Sequence, residues 1–268
     1  MNGIDHIAEA FSQAKAHRRT ALMPYFTLGF PTSLASLEVI DAIRAAGADL
    51  IELGVPFSDP LADGPTIQRS SQIALENGIT VQECLELVKI LRGRGLTLPL
   101  LLMGYYNPIL AYGPERFVVD ACQVGIDGLI VPDLPLEEAA ALEAACRQKG
   151  MALVYLVAPT TTDARLAQLT AHSSGFVYIV SLTGVTGARA NLAVGLQEFL
   201  QRVRAVTDKP LAVGFGISTP EQAAWVGKLA DGVIVGSAVI DAAGKAPDPV
   251  TSVRKFVAEL SKALQNNG

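Results

Sequence analysis

Eight short apolar runs recur along the chain: ALMPYFTL from Ala21, DLIELGV from Asp49, PLLLMGY from Pro99, GLIVPDL from Gly128, ALVYLVA from Ala152, FVYIVSL from Phe176, PLAVGFG from Pro210 and GVIVGSA from Gly232. Most are apolar throughout rather than alternating, the pattern of parallel strands covered on both faces. Between them lie segments such as SLASLEVIDAIRAAG, LEEAAALEAACRQKG and TPEQAAWVGKLA, with apolar positions at the 3.6-residue helical period and Gly at or near their ends. Eight strand-helix units predict an α/β fold, a single closed (β/α)8 barrel of the TIM type rather than an open doubly wound sheet. An extra helix from about Gly3 to Ala16 opens the chain, and one from Pro249 to Gln265 closes and flanks it. No linker or low-complexity tract divides residues 1–268, so one domain is expected.

Composition narrows the class. Half of the 268 residues are hydrophobic, enough for a large core. The formal net charge of -5 and the absence of a basic stripe argue against a nucleic-acid partner. Cys84, Cys122 and Cys146 lie in helical contexts without metal-ligand spacing and read as buried reduced thiols. The first twenty residues mix acids and bases, unlike a signal or transit peptide, and no apolar run approaches the roughly 20 residues of a membrane span. A cytoplasmic protein that binds no membrane is the expectation.

In a barrel of this kind the chemistry sits on loops after the carboxyl ends of the strands. Three glycine-rich stretches fall there: Ser181 to Gly187, Gly214 to Ser218, and Gly236-Ser237. Each could be a simple turn or cap. Together they suit a phosphate held by backbone N–H groups and a short helix N-terminus. No lysine falls at a strand end, which disfavours a Schiff base, and His6, His17 and His172 lack metal-ligand spacing. Acids remain. Glu52 is embedded in an apolar strand, where a carboxylate is costly unless paired or functional, and burial should raise its pKa into the range of a proton donor. Asp59 and Asp63 follow in SDPLADGP, and Asp133 stands in IVPDLP; Asp63 could equally be a turn residue and Asp133 a helix cap. Tyr25, Phe26, Met103, Tyr105, Tyr178 and Phe215 could line an apolar pocket or simply fill the core. The residues therefore point to a phosphate ester with an apolar head, worked on by carboxylates.

The 22 residues from Gly47 to Gln68, GADLIELGVPFSDPLADGPTIQ, closely resemble the signature of the tryptophan synthase alpha chain family. Agreement in order and spacing continues through Pro24 to Pro31, Tyr105, Asp133-Leu134-Pro135, Tyr178, Gly184 to Gly187, Gly214 to Ser218 and Gly236-Ser237. The resemblance implies retro-aldol cleavage of indole-3-glycerol phosphate to indole and glyceraldehyde 3-phosphate, the last stage of tryptophan synthesis. Glu52 would be the main acid/base, and Asp63 the carboxylate that bonds the indole N–H. It also implies phosphate binding at Gly187, Gly216, Gly236 and Ser237, and an indole site among Tyr25, Ile67, Tyr105, Tyr178 and Phe215. No metal and no cofactor is implied on this chain; pyridoxal phosphate would belong to a partner β subunit in an α2β2 assembly, with the loops after the second and sixth strands closing over substrate and communicating with that partner. Tyr25, where many members carry Phe, and Ser181-Leu182-Thr183, where a common variant has Ser-Arg-Ala, depart from the pattern and bear on the closing of the sixth loop. A stand-alone lyase, a sugar-phosphate isomerase and a purely activating subunit are the alternatives.

Overall fold

A computed structural model describes residues 1–180, 189–214 and 216–265, the side chains of 189–194 excepted. Its strands are β1 (Ala21–Thr27), β2 (Ile51–Gly54), β3 (Leu100–Met103), β4 (Gly128–Ile130), β5 (Ala152–Val154), β6 (Leu156–Val157), β7 (Val177–Val180), β8 (Leu211–Gly214) and β9 (Gly232–Val235). All pair in parallel, in the order β5-β4-β3-β2-β1-β9-β8-β7-β6. The two ends of that order are consecutive pieces of the single apolar run at 152–157, so the sheet returns on itself as the expected eight-stranded barrel. The break falls at Tyr155, whose N–H donates to Ser173 Oγ at 3.0 Å while its carbonyl accepts from the Tyr178 N–H at 3.1 Å.

Helices wrap the outside, two of them in the connections after β2 (α3, Pro65–Glu76; α4, Val81–Gly93) and after β3 (α5, Tyr106–Tyr112; α6, Pro114–Gln123). The opening helix α1 spans Gly3–Ala16 as predicted and closes the amino-terminal end of the barrel, with Ile7 and Phe11 buried and Phe11 stacked 5.6 Å from Phe176. The last helix, α12 (Pro249–Ala263), ends two residues before the expected Gln265 and packs on α2 (Ser33–Ala45). Cys84 and Cys146 are buried free thiols, whereas Cys122 is only half-buried. No described helix is long and apolar enough to cross a membrane.

A repeated device holds the amino-terminal ends of the strands. Asp49, Asp127 and Asp231, just ahead of β2, β4 and β9, donate their N–H at 2.9 Å to the carbonyls of Leu22, Leu100 and Leu211 on the preceding strands. Their carboxylates accept the N–H of those same leucines at 2.9, 2.9 and 2.8 Å. Ser174, ahead of β7, makes the same two bonds to Leu153, at 3.0 and 2.8 Å. Each carboxylate also pairs with an arginine, Arg19, Arg92 or Arg204. Strand-end N–H groups that would be orphaned under the barrel are thereby satisfied.

Candidate active site

At the carboxyl ends of the strands a cavity of about 710 Å3 is lined by residues that include Glu52, Asp63, Tyr25, Ile67, Tyr178, Met103, Gly216, Ile234, Gly236 and Ser237. Glu52 projects from the middle of β2, where its register partners are Tyr25 on β1 and Leu101 on β3. Side chains alternate across the sheet, so Ile51 and Leu53 face the helices while Glu52 faces the interior. Glu52 is 1% exposed, and its Oε2 has no hydrogen-bond partner among the described residues. Burial, with Asp63 nearby adding repulsion, pushes its carboxyl up to about 8. It is therefore held mostly protonated at neutral pH, a stored proton facing an open cavity.

Asp63 lies on the loop from β2 to α3. Burial raises it to about 6, against a hydrogen bond from Tyr105 that favours the ionised form. Two carboxyls of the same cavity thus separate into a proton donor and a group that is charged at neutral pH, the division acid/base chemistry requires. Tyr105 does not line the cavity. Its hydroxyl accepts the Ala62 N–H at 2.9 Å, and its ring lies 5.2 Å from Phe57, so it braces the loop that carries Asp63.

Two glycines make room for two tyrosines. Tyr25 leans over Gly54, one pleat further along β2, and Tyr178 leans in the same way over Gly214 on β8. A Cβ at Gly54 would fall 2.7 Å from Tyr25 Cε2, and one at Gly214 would fall 2.7 Å from Tyr178 Cε1. Burial, with the carboxyl groups of Glu52 and Asp63 nearby, drives both phenols far above their ordinary pKa, so both stay neutral.

Beside Tyr25 and Ile67 the cavity lining suits an anion. Gly236 is the N-cap of α11 (Ser237–Lys245), and no side chain caps that helix. Gly236, Ser237 and Ala238 at its start line the cavity, which puts the positive end of the helix dipole there. A Cβ at Gly236 would meet only ordinary contacts, 3.6 Å from Ile67 Cδ1 and Tyr25 Cβ, so packing does not demand glycine there. Gly216, with φ of +75°, does need to be glycine.

A family model of the tryptophan synthase alpha chain matches residues 11–267. The chain belongs to the tryptophan synthase alpha chain family. It is 52% identical over 264 residues to the alpha chain of Chloroflexus aggregans, covering 98% of this chain and 99% of that one. Among solved structures it resembles the tryptophan synthase alpha chain of Legionella pneumophila, with a TM-score of 0.90, 37% identity and coverage of 99% and 98% of the two chains. A chain of the Mycobacterium tuberculosis tryptophan synthase superposes with a TM-score of 0.89 at 39% identity, covering 97% and 98%.

Of the residues expected from the family pattern, Glu52, Asp63, Tyr25, Ile67, Tyr178, Gly216, Gly236 and Ser237 meet on the one cavity. Gly187 and Phe215, and with them Ser181-Leu182-Thr183, lie outside the described residues. Phe26 points the other way on β1 and stacks on Phe30 at 6.2 Å. Asp133 is exposed and accepts the Tyr106 N–H at 2.9 Å, serving the start of α5, while Asp59 is exposed and bonds Ser58. Sequence reasoning missed Ile234 and Phe256 in the cavity lining. Ile234 has no signal beyond its place in an apolar strand.

Proposed function

We propose that this chain is the α subunit of a tryptophan synthase that cleaves indole-3-glycerol phosphate by a retro-aldol reaction, with Glu52 and Asp63 as its catalytic acids. The observation that carries the reading is the buried carboxyl of Glu52, whose Oε2 has no hydrogen-bond partner among the described residues and which shares one cavity with Asp63 and the amino-terminal end of α11. In this reading Glu52 donates its proton to indole C3, and the ring nitrogen takes up the positive charge. Asp63, ionised, accepts a hydrogen bond from that N–H and stabilises the cation. The bond from C3 to the glycerol carbon then breaks, and its electrons return to the ring and neutralise the nitrogen. The carbinol hydroxyl gives its proton back to Glu52 and becomes the aldehyde of glyceraldehyde 3-phosphate. One proton leaves Glu52 and one returns, so the carboxyl is regenerated.

The phosphate is assigned to the backbone N–H groups around Gly187, Gly216, Gly236 and Ser237. The indole is assigned to Tyr25, Ile67, Tyr178 and Phe215, with Tyr105 acting through the Asp63 loop. The reading gives this chain no cofactor and assigns pyridoxal phosphate to the β subunit of an α2β2 assembly in the cytoplasm. It treats residues 1–268 as one domain.

Indole release by the purified chain, alone and with a tryptophan synthase β subunit, tests the reading with Glu52→Gln alongside. Release that is slow alone, rises with the partner and disappears in the variant supports it. Fast release without the partner points to a stand-alone lyase, and no release under any condition overturns it.

A further inference from the structure

Three buried hydroxyls that take no part in the steps above form a single chain across the site. Tyr25 Oη lies 3.2 Å from Thr27 Oγ1, Thr27 Oγ1 lies 2.7 Å from Ser70 Oγ, and Ser70 Oγ donates to the Ile67 carbonyl at 2.8 Å. The three residues are 4%, 0% and 0% exposed. Their directions follow from proton counting. Ser70 has spent its one proton on Ile67, so it accepts from Thr27; Thr27 has then spent its own and accepts from Tyr25.

The chain joins β1, which pairs with the strand that carries Glu52, to α3, which follows the loop that carries Asp63. Its Tyr25 end is on β1, in register with Glu52. Its Ser70 end is on α3, which begins two residues after Asp63 and holds that residue by a bond from Gln68 Nε2 to the Asp63 carbonyl at 2.9 Å. Aliphatic side chains could fill these places, as they do along the other strands, but apolar contact tolerates sliding. A chain of directed hydrogen bonds in a dry interior does not.

We propose that Thr27 and Ser70 are positioning residues of the cleavage reaction, their hydroxyls tying the first turns of α3 to β1 and so setting where Asp63 and Ile67 stand relative to Glu52. The inference rests on the assignment of Glu52 and Asp63 to catalysis. Misplacement of a catalytic group by about 1 Å can cost on the order of 100-fold in rate. Loosening one end of α3 should cost part of that.

The test compares Thr27→Val, Ser70→Ala and the conservative Thr27→Ser in the full chain with its β subunit. In Thr27→Val and Ser70→Ala, kcat falls about 10-fold while KM stays within about twofold, the pattern of a lost transition-state interaction. The alkaline limb of the kcat profile also moves to lower pH, because an Asp63 free to drift outward repels the Glu52 carboxylate less. Thr27→Ser retains the hydroxyl and restores both. If Thr27→Val does not fold, Ser70→Ala, the smaller change, carries the measurement. Unchanged kcat and an unchanged alkaline limb in the folded variants overturn the proposal, whatever their melting temperatures; so does a raised KM with kcat intact. Glu52→Gln, assayed in the same series, separates the two levels. If it still releases indole, the assignment of the acids has failed; if it is inactive while Thr27→Val and Ser70→Ala match the parent, only the positioning role has.

Discussion

The Tyr25 ring occupies the space that a side chain at position 54 would need: a Cβ built on Gly54 lies 2.7 Å from Tyr25 Cε2 and closer still to the hydroxyl. Gly54→Ala therefore forces Tyr25 out of the cavity wall. The expected cost is about 1–3 kcal/mol of stability, together with a loss of kcat/KM, measured by urea denaturation and by indole release. Combining it with Tyr25→Leu should recover much of the stability, because the two changes act on one volume and are not additive. Strict additivity would show that the clash is relieved elsewhere.

Glu52 ties activity to a stability penalty. Its carboxyl is raised from 4.5 to about 8 in the fold, so the native state holds a proton that the unfolded chain releases above about pH 4.5. The contribution is fully present below that value and is lost as pH rises towards 8, a slope of the sign expected when the native state binds more protons. By pH 8 the loss is of order a few kcal/mol at about 1.4 kcal/mol per pH unit. Glu52→Gln should abolish indole release yet melt at a higher temperature than the parent at pH 8, with the gap closing near pH 4.5. Equal melting at both pH values would mean that Glu52 is not buried as an acid.

The rate should follow a bell. Cleavage needs Asp63 ionised and Glu52 protonated, so kcat rises through the Asp63 value of about 6 and falls through the Glu52 value of about 8. Asp63→Asn should remove the acidic limb and lower the alkaline one, since Asp63 is one of the two causes of the raised Glu52 value. A profile flat from pH 5 to 9 would speak against both roles.

Gly236→Ala separates binding from folding. The new methyl would meet nothing nearer than 3.6 Å, and the backbone φ of -106° suits alanine, so the melting temperature should stay within about 2 °C. It would, however, stand between the α11 N-terminus and an arriving anion. Weakened competition by inorganic phosphate and a KM raised about 10-fold or more are expected. An unaltered KM would place the phosphate elsewhere.

At the far end of the barrel, Asp127 accepts from the Leu100 N–H, from Arg92 at 2.7 Å and pairs with His6 at 2.8 Å. Asp127→Ala removes the counter-charge of Arg92, which keeps its bonds to the Leu96, Leu98 and Gly125 carbonyls, and leaves the Leu100 N–H unpaired, and should cost about 1–3 kcal/mol in urea denaturation. Asp127→Asn should cost less, because the amide oxygen still accepts the Leu100 N–H. Both should keep the parent's kcat, since these groups sit at the opposite ends of the strands from the cavity.

Much of this was legible in the chain itself. Eight apolar runs with helical spacers determined a parallel barrel, because only residues buried on both faces read as unbroken apolar strands. A carboxylate inside such a run, at Glu52, could be marked as functional because burying it costs too much otherwise. Other assignments needed the tertiary structure. Whether Phe26 or Tyr25 faces the cavity depends on strand register. Asp133 and Asp63 are alike in sequence, each followed by a Pro-containing turn, yet one serves the start of a helix and the other joins Glu52 in the cavity. The bond from the Ala62 N–H to the Tyr105 hydroxyl and the hydroxyl chain of Tyr25, Thr27 and Ser70 join residues up to 45 positions apart in the chain. Local spacing encodes periodicity and burial, whereas partners that far apart are chosen only when the barrel closes.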